Sequence, residues 1–450
     1  MKSVLLALLG LGASLAAEAQ WVNQPIGFAN PTSLAMHLEP VDANNVWVVN
    51  DNINAYVAPQ LARTTDGGQT WTVRTLPLRT SQKEYVAGLS AVSPSLAWIT
   101  TVPSDSVGSR ILRTADGGQT WTVQGRGTTF PSADSYASFI HFFSALEGIV
   151  IGEPLSAGGS FEVYRTADGG LTWLPVALPA TLLNENTSGL QPAVYGNSIW
   201  FLTDEGRVFR STTRGQSWAV SALPLRVEST NIAFRDAQNG LVSVLDENAT
   251  SHLLFRTTDG GQTWAQVPYI GPLHGLGLGA VPAATASGTA FYVSTGGDLG
   301  NGDQGSSYSE DNGQTWLPIE SLTNHFSARF AGAAAGWSTG FVPTPTTLLG
   351  NGVNKLPLQT VITANRSAAR AGWQLAPNPA ADGRTALQAP RAFDAAAQVR
   401  VRDVAGRLVQ QHLWAGTAPL PLDLSAQPAG LYVVEVAGPA GSTYQKVQVR

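Results

Sequence analysis

A nine-residue segment recurs six times along this chain of 450 residues, and its spacing constrains the fold more than any other feature. The copies are RTTDGGQTW (63–71), RTADGGQTW (113–121), RTADGGLTW (165–173), RSTTRGQSW (210–218), RTTDGGQTW (256–264) and YSEDNGQTW (308–316). The closing tryptophan returns every 45 to 52 residues. A period of this size is typical of propeller blades.

Each repeat also predicts four short strands. In the third repeat we expect strands at 139–143, 148–152 and 161–166 and a fourth from Thr172, separated by turn-forming residues. Four short β-rich segments of this kind form the four-stranded antiparallel blade of a propeller. The sequence therefore predicts an all-β fold in which the nine residues join the third strand to the fourth.

The residues of the repeated segment suit a tight turn. Short acidic side chains accept hydrogen bonds from turn backbone, glycine adopts positive φ freely, and tryptophan buries a large apolar area. The predicted structural residues are Asp66, Gly68, Trp71, Asp116, Gly118, Trp121, Asp168, Gly170, Trp173, Gly215, Trp218, Asp259, Gly261, Trp264, Asp311, Gly313 and Trp316, with Thr213 in place of the acid in the fourth copy.

These segments resemble the Asp-box, or BNR, repeat of sialidases, sortilin-type receptors, xyloglucan-degrading hydrolases and photosystem assembly factors. In those families the box is structural. Six equivalent turns around a rim cannot all surround one ligand, so chain tracing also favours a scaffold. The second-to-third strand loops and the blade-to-blade connections lie on the opposite face, where we expect a ligand.

The predicted ring has seven blades. The segment QWVNQPI (20–26) reads as a fourth strand without its first three, and the last repeat shows strands at 326–330, 335–340 and 357–363 without a boxed fourth. Joining them closes the ring and leaves no open sheet edge. The alternative is that the ring is complete without the segment that contains Trp21.

The N-terminus and the composition indicate export. Residues 1–19 combine Lys2, an apolar run and Ala17-Glu18-Ala19, the form of a secretory signal peptide with its cleavage site. An uncleaved membrane anchor is the alternative, but it needs a longer apolar stretch, and no other segment is long enough to span a membrane.

A net charge of -5 without basic runs argues against a nucleic-acid partner.

The pattern changes after the propeller, which we assign to residues 20–366. A linker is predicted at 367–373, and residues 374–450 alternate apolar and polar positions around Gly turns, as in a small Ig-like β-sandwich. The segments APNP, DVAGRLV, LDLSAQPAGLYVVEV and KVQV resemble the C-terminal sorting domain of the bacterial type IX secretion system. That resemblance implies handling by the type IX machinery and delivery outside the cell; a generic sandwich is the alternative.

Few residues suggest chemistry. Glu153 begins a loop on the expected ligand face, and polar inner-strand residues that could line a central channel are His141, Arg235, His325 and Arg329. No cofactor is predicted. Asp298, Asn301 and Asp303 offer oxygen ligands of the kind that Ca²⁺ accepts, but Gly300 breaks the EF-hand spacing, so a glycine-rich loop is the preferred interpretation.

Two functions stay open at this point. A secreted propeller that binds an extracellular glycan or protein fits the absence of a catalytic motif. A glycoside hydrolase of sialidase-like or xyloglucanase-like type is the alternative, since such enzymes share the boxes, but it would need two carboxylates, or a Tyr/Glu pair, at one focus. We predict binding without turnover.

Overall fold

The computed structural model separates into two compact units, Ala19–Leu358 and a C-terminal unit that begins at Gln359. The described residues are 21–52, 56–104, 108–132, 134–226, 230–245, 252–282, 290–300, 302–332, 335–344, 347–358, 373–376, 378, 380, 382–388, 396–403, 407–415, 418–438 and 441–449. The predicted signal peptide and most of the predicted linker lie outside them.

In the described residues of the first unit there are 28 strands and one short 3₁₀ helix, Thr80–Gln82. The strands of its first half are β1 (Val22–Gln24), β2 (Leu34–Pro40), β3 (Val46–Asp51), β4 (Gln60–Thr64), β5 (Thr72–Thr75), β6 (Glu84–Ala91), β7 (Ala97–Pro103), β8 (Arg110–Thr114), β9 (Thr122–Gln124), β10 (Ala137–Phe142), β11 (Gly148–Pro154), β12 (Phe161–Thr166) and β13 (Leu174–Val176). Those of its second half are β14 (Thr187–Tyr195), β15 (Ser198–Thr203), β16 (Arg207–Ser211), β17 (Ala219–Ala222), β18 (Thr230–Phe234), β19 (Gly240–Val244), β20 (Leu253–Thr257), β21 (Ala265–Gln266), β22 (Gly277–Val281), β23 (Phe291–Gly296), β24 (Gly305–Ser309), β25 (Leu317–Glu320), β26 (His325–Ala331), β27 (Ala335–Pro343) and β28 (Leu348–Pro357).

These strands form seven four-stranded antiparallel sheets, which we call blades 1 to 7. Blades 1 to 6 are consecutive quartets from β2–β5 to β22–β25, and blade 7 has the order β1-β28-β27-β26. The first strand of each blade contacts the first strand of both neighbouring blades, so the innermost strands close a ring. The unit is a β-propeller, and β1 supplies the fourth strand of its last blade, where Val22 pairs with Lys355.

The last blade differs from the prediction at its third strand. That strand was expected at 357–363, but β28 ends at Pro357 and residues 359–363 lie outside the described part. Since β28 must run antiparallel between β27 and β1, its register follows these two partners: Lys355 pairs with both Trp337 and Val22. The joining of these strands was predicted from the sequence, but their register leaves no local pattern in it.

The C-terminal unit is a small sandwich. Its strands are β29 (Gln374–Ala376), β30 (Arg384–Gln388), β31 (Ala397–Asp403), β32 (Leu408–Trp414), β33 (Leu420–Asp423), β34 (Gly430–Gly438) and β35 (Gly441–Val449). They form a three-stranded sheet β29-β30-β33 and a four-stranded sheet β32-β31-β34-β35 around one apolar core. Trp373, which was assigned to the linker, is buried in this core, because its indole supplies apolar area that a linker would leave in water.

Candidate functional site

The Asp-box turns satisfy their own polar groups. In the first copy, Asp66 Oδ1 accepts from the Thr70 backbone N–H at 2.9 Å and Oδ2 accepts from the Thr70 hydroxyl at 2.6 Å. Thr64 Oγ1 donates to Asp66 and accepts from the Gly68 N–H. The hydrogen bonds from Thr70, first among several, lower the pKa of Asp66 to about 2. The carboxylate is therefore ionised and fully engaged inside its own turn.

The two unusual boxes keep the same backbone. Gly67 and Gly68 both have positive φ, and at the first of these positions Arg214 and Asn312 also adopt left-handed conformations, with φ of 53° and 61°. Such values strain a non-glycine residue. In the fourth copy Thr213 Oγ1 accepts from the Ser217 N–H at 3.0 Å, so a hydroxyl replaces the carboxylate.

The box tryptophans join neighbouring blades. Trp173 packs in blade 2 against Trp98, and Trp316 packs in blade 5 against Leu241 and Leu254. The other four occupy the equivalent place: Trp71 beside Trp337, Trp121 beside Trp47, Trp218 beside Ile149 and Trp264 beside Trp200. Each tryptophan therefore packs against the preceding blade, with Trp173 and Trp316 buried and the other four partly buried, and the six boxes are structural elements of the ring.

The basic residue at the start of the repeat connects neighbouring blades, a role that the sequence analysis missed. Arg165 donates to the Arg214 carbonyl at 3.0 Å and pairs with Glu147 at 2.9 Å, which ties blade 3 to the box of blade 4. Lys355 reaches the Gly67 carbonyl at 2.9 Å in the same way. The Arg that recurs at the start of RTxDGG was the sequence signal that could have predicted this contact between blades.

The two faces of the ring follow from these turns. In blade 1 the Gly67 N–H donates to the Asn44 carbonyl, and in blade 3 the Gly169 N–H donates to that of Leu146. The boxes therefore lie on the same face as the turns between first and second strands, which we call the box face. The opposite face, with the second-to-third strand loops and the blade connections, is the ligand face expected from the sequence.

Glu153 lies on the ligand face but serves as a brace. It is near the end of β11, and its carboxylate accepts from the Ser138 hydroxyl, from the Thr187 hydroxyl and from the Thr187 N–H at 2.9 Å. These contacts connect blade 3 to blade 4. The residue predicted as a ligand contact is therefore engaged by protein groups.

Other acidic residues of this face are held in the same way. Glu84, fully buried, pairs with Arg79 and Arg110; burial raises its pKa, but the hydrogen bonds from these arginines outweigh that effect and lower it to about 2. Glu185 pairs with Arg207 at 2.6 Å. Both carboxylates stabilise the loops through arginines, and Glu185 Oε1 is the one oxygen of the two groups without a protein hydrogen bond in the described part.

Asp298 and Asp303, the two described residues among those considered for calcium, are engaged by protein groups. Asp298 Oδ1 accepts from the N–H groups of Gly300 and Gly302, and Asn301 lies outside the described residues. The Asp303 carboxylate instead meets His274 at 2.9 Å and His252 at 3.1 Å. This His–Asp–His contact escaped the sequence analysis because its members are distant in the chain.

Two of the four predicted channel residues are wrong. Arg235 follows β18 on the box face, where its guanidinium donates to the Ala290 and Glu310 carbonyls over the ring of Tyr292, because the strand ends one residue earlier than expected. His325 is completely buried between Ser338 and Glu320, at 2.6 and 3.0 Å. The orientation of His325 is set at the place where β1, from the start of the propeller sequence, completes blade 7.

His141 and Arg329 do line the central channel. A cavity of about 180 Å³ there is also lined by Glu39 and Gln191, so inner strands of blades 1, 3, 4 and 7 contribute to it. Two smaller cavities of the channel also have Arg329 in their walls. Among the described residues that line these three cavities, Glu39 is the single carboxylate.

The surroundings of the channel shift the pKa values of its ionisable groups. Burial raises the pKa of Glu39 to about 7, although the charge of Arg329 opposes the shift. Burial lowers the pKa of His141 to about 4, with a smaller contribution from Arg329. The same causes, with an opposing hydrogen bond to the Val86 carbonyl, lower the pKa of His37 to about 4. Near neutral pH both imidazoles are uncharged and Glu39 is partly protonated.

A Tyr/Glu pair exists, but its electrostatics oppose nucleophilic use. Tyr164 donates to Glu162 at 2.7 Å on β12. Burial, followed by the hydrogen bond and charge of Glu162, raises the pKa of Tyr164 well above its usual value. The phenol is therefore held protonated, whereas a nucleophilic tyrosine must lose its proton.

Two other features, a metal-binding cluster and a membrane-spanning helix, are absent from the described residues. No group of three or more His, Cys, Asp or Glu side chains among the described residues is arranged to hold a metal ion. Within the same part of the chain, no helix has the length and apolar character needed to cross a membrane.

Two family models match this chain. Residues 149–340 match the DUF6242 beta propeller domain, and residues 374–450 match the secretion system C-terminal sorting domain. The chain therefore combines a propeller with a type IX secretion tail, and the tail indicates export to the cell surface or the extracellular medium.

Individual relatives are distant. The xyloglucanase Xgh74A of Acetivibrio thermocellus is 29% identical over 121 residues, which are 24% of this chain and only 14% of that enzyme. YCF48 from Cyanidioschyzon merolae has a TM-score of 0.51 at 15% identity, covering 75% of this chain and 99% of its own, which shows a shared fold. A Trypanosoma rangeli sialidase reaches a TM-score of 0.44 at 12% identity, covering 94% of this chain and 86% of its own.

Proposed function

We propose that this protein is an exported binding propeller, which presents the loops of its ligand face to an extracellular glycan or protein and does not turn its ligand over. One observation carries the proposal. The ligand-face carboxylates described above are engaged by arginines, hydroxyls or backbone N–H groups, and Glu39 is the single carboxylate among the described residues that line the channel cavities.

Hydrolysis of a glycosidic bond needs more than this arrangement supplies. Two carboxyl groups about 5 to 9.5 Å apart, or an activated Tyr/Glu pair, must flank one bond. Glu153 and Glu84 have protein partners, and Tyr164 is held protonated. Binding requires only hydrogen-bonding groups on accessible loops, so it is the function that this geometry supports best.

The test compares binding with turnover in the purified secreted chain. We expect no product from sialoside, xyloglucan and related substrate panels, and a signal on a glycan array or an array of cell-surface proteins. Product formation that disappears in Glu153→Gln, with an unchanged circular dichroism spectrum, would establish the hydrolase instead. The matched control is Glu147→Gln, which removes a carboxylate from the box face.

A further inference from the structure

Three ionisable side chains meet in one layer of the channel. Glu39 pairs across its blade with Trp47, His141 with Ile149 and Arg329 with Trp337. Counted from the turn between the first and second strands, the pairs of Glu39 and His141 are the second, and the pair of Arg329 is the third because β26 and β27 pair one residue further. The three blades therefore place a carboxyl, an imidazole and a guanidinium near the same end of one cavity.

This layer differs from the braces elsewhere in the ring. No hydrogen bond or ion pair joins Glu39, His141 or Arg329 to another side chain in the described part of the protein, although all three line the same cavity of about 180 Å³. The three side chains are half-buried in the cavity wall, so their polar atoms are available to water or to a ligand. By contrast, Glu84 is satisfied by two arginines.

The layer lies near the box face. Pro40 and Phe142, the residues that follow Glu39 and His141, are the last residues of β2 and β10. The turns that come next carry the carbonyls of Asn44 and Leu146, which accept from box glycines. A ligand that takes the shorter route to Glu39, His141 and Arg329 therefore enters the channel from the box face. The loops expected to bind the extracellular glycan or protein lie on the opposite face.

We propose that this layer binds one small oxyanion, with the Arg329 guanidinium as its cation and with Glu39 and His141 beside it in the wall of the same cavity. This site is separate from the proposed function, because it lies at the other end of the channel. It remains a site whether or not the ligand face binds a glycan or protein.

The chemistry of the layer matches an oxyanion. A guanidinium donates two parallel hydrogen bonds to a carboxylate, sulfate or phosphate group. A protonated Glu39 offers an O–H donor, and the neutral imidazole of His141 offers an N–H donor. The cavity has room for a single small group of this kind, which can arrive as a free ion or as a substituent of a sugar.

Binding should take up a proton. Arg329 is the fixed positive charge that faces Glu39, and His37 and His141 are the other ionisable groups in this part of the channel. Burial has raised the pKa of Glu39 to about 7, and only the charge of Arg329 opposes this. An anion on Arg329 cancels that opposing effect, so Glu39 is protonated and affinity rises as the pH falls through 7.

The test uses inorganic sulfate, acetate and a sulfated monosaccharide with the purified secreted chain. Calorimetry at pH 7 in two buffers of different protonation enthalpy measures proton uptake, and titration at pH 6 and 8.5 measures affinity. We expect sulfate to bind about tenfold or more tightly at pH 6, since one linked proton changes affinity up to tenfold per pH unit. Tighter binding of the sulfated sugar identifies a glycan source, and tighter binding of sulfate a free ion; both support the site.

Two variants assign the effect to residues. Arg329→Met should weaken sulfate binding about tenfold or more by removing the cation. Glu39→Gln should keep binding but lose proton uptake and pH dependence. Arg126→Gln, which removes an exposed arginine, is the matched control and should bind as the unmodified protein does. Absence of binding by all three probes, or proton uptake and pH dependence unchanged in Glu39→Gln, would overturn the proposal.

Discussion

Trp21 and His325 pack ring against ring with 4.8 Å between their centroids, although they stand near opposite ends of the propeller sequence. The indole N–H of Trp21 also donates to Ser306 Oγ in blade 6 at 2.9 Å. Because Trp21 immediately precedes β1, this contact accompanies the pairing that completes blade 7. Trp21 is therefore held by an aromatic contact to blade 7 and a hydrogen bond to blade 6, whereas β1 itself is largely exposed.

Removal of the Trp21 indole should destabilise the whole ring. Trp21 is only 8% exposed, so Trp21→Ala should lower the free energy of unfolding by about 3 to 5 kcal/mol, as for other buried aromatic truncations. Urea denaturation followed by fluorescence measures the change. Val22→Ala is the control, since Val22 is 50% exposed in β1. Equal urea midpoints for Trp21→Ala and Val22→Ala would show that the contacts of Trp21 do not stabilise the ring.

The box carboxylates should make stability depend on acid pH. The hydrogen bonds from Thr120, before all other causes, lower the pKa of Asp116 from 3.8 to about 2. A lowered pKa stabilises the fold above about pH 4, and this contribution disappears as the pH falls towards 2. Asp116→Asn should therefore melt earlier than the unmodified protein at pH 6, and the gap should narrow at pH 2.5.

Thermal melting at the two pH values tests this behaviour against a matched change. Asp134→Asn removes an exposed acid outside the boxes and should have little effect at either pH. A constant gap for Asp116→Asn across the pH range would mean that the carboxylate charge is not what stabilises the turn.

Glu39 should show the opposite pH dependence. Its pKa is raised from 4.5 to about 7, so the folded state is stabilised below about pH 4.5 and loses that stability as the pH rises through 7. Glu39→Gln should therefore raise the melting temperature at pH 8.5 and change it little at pH 5. Glu84→Gln should lower it at both values, because the arginines beside Glu84 hold its pKa at about 2. A destabilised Glu39→Gln at pH 8.5 would contradict the channel electrostatics.

The sorting tail should be needed for export and not for folding of the propeller. Deletion of residues 359–450 removes the whole second unit, whereas the seven blades and their closing strand lie within Ala19–Leu358. We expect the truncated protein to stay in the periplasm with an unchanged melting transition for the propeller. Cell fractionation and calorimetry measure the two effects, with the full chain as control. Normal appearance outside the cell would refute the assigned role of the tail.

The sequence by itself predicted the features that depend on local chemistry. The Asp, Gly and Thr of each box define a turn whose hydrogen bonds span four residues, as between Asp66 and Thr70, so nine letters are enough to recognise it. The box tryptophans and their period then predicted the blades. The sorting tail was recognisable for the same reason, since its motifs are short and contiguous.

Only the tertiary structure decided which polar residues meet. Glu39 was not selected from the sequence, yet it shares a cavity with His141 and Arg329, while Arg235 and His325 lie elsewhere. A slip of one residue at a strand end moves a side chain from the channel to a turn, and the partners of each inner strand come from other blades. Box chemistry depends on neighbours in the chain, whereas channel chemistry depends on register across the ring, which no local pattern encodes.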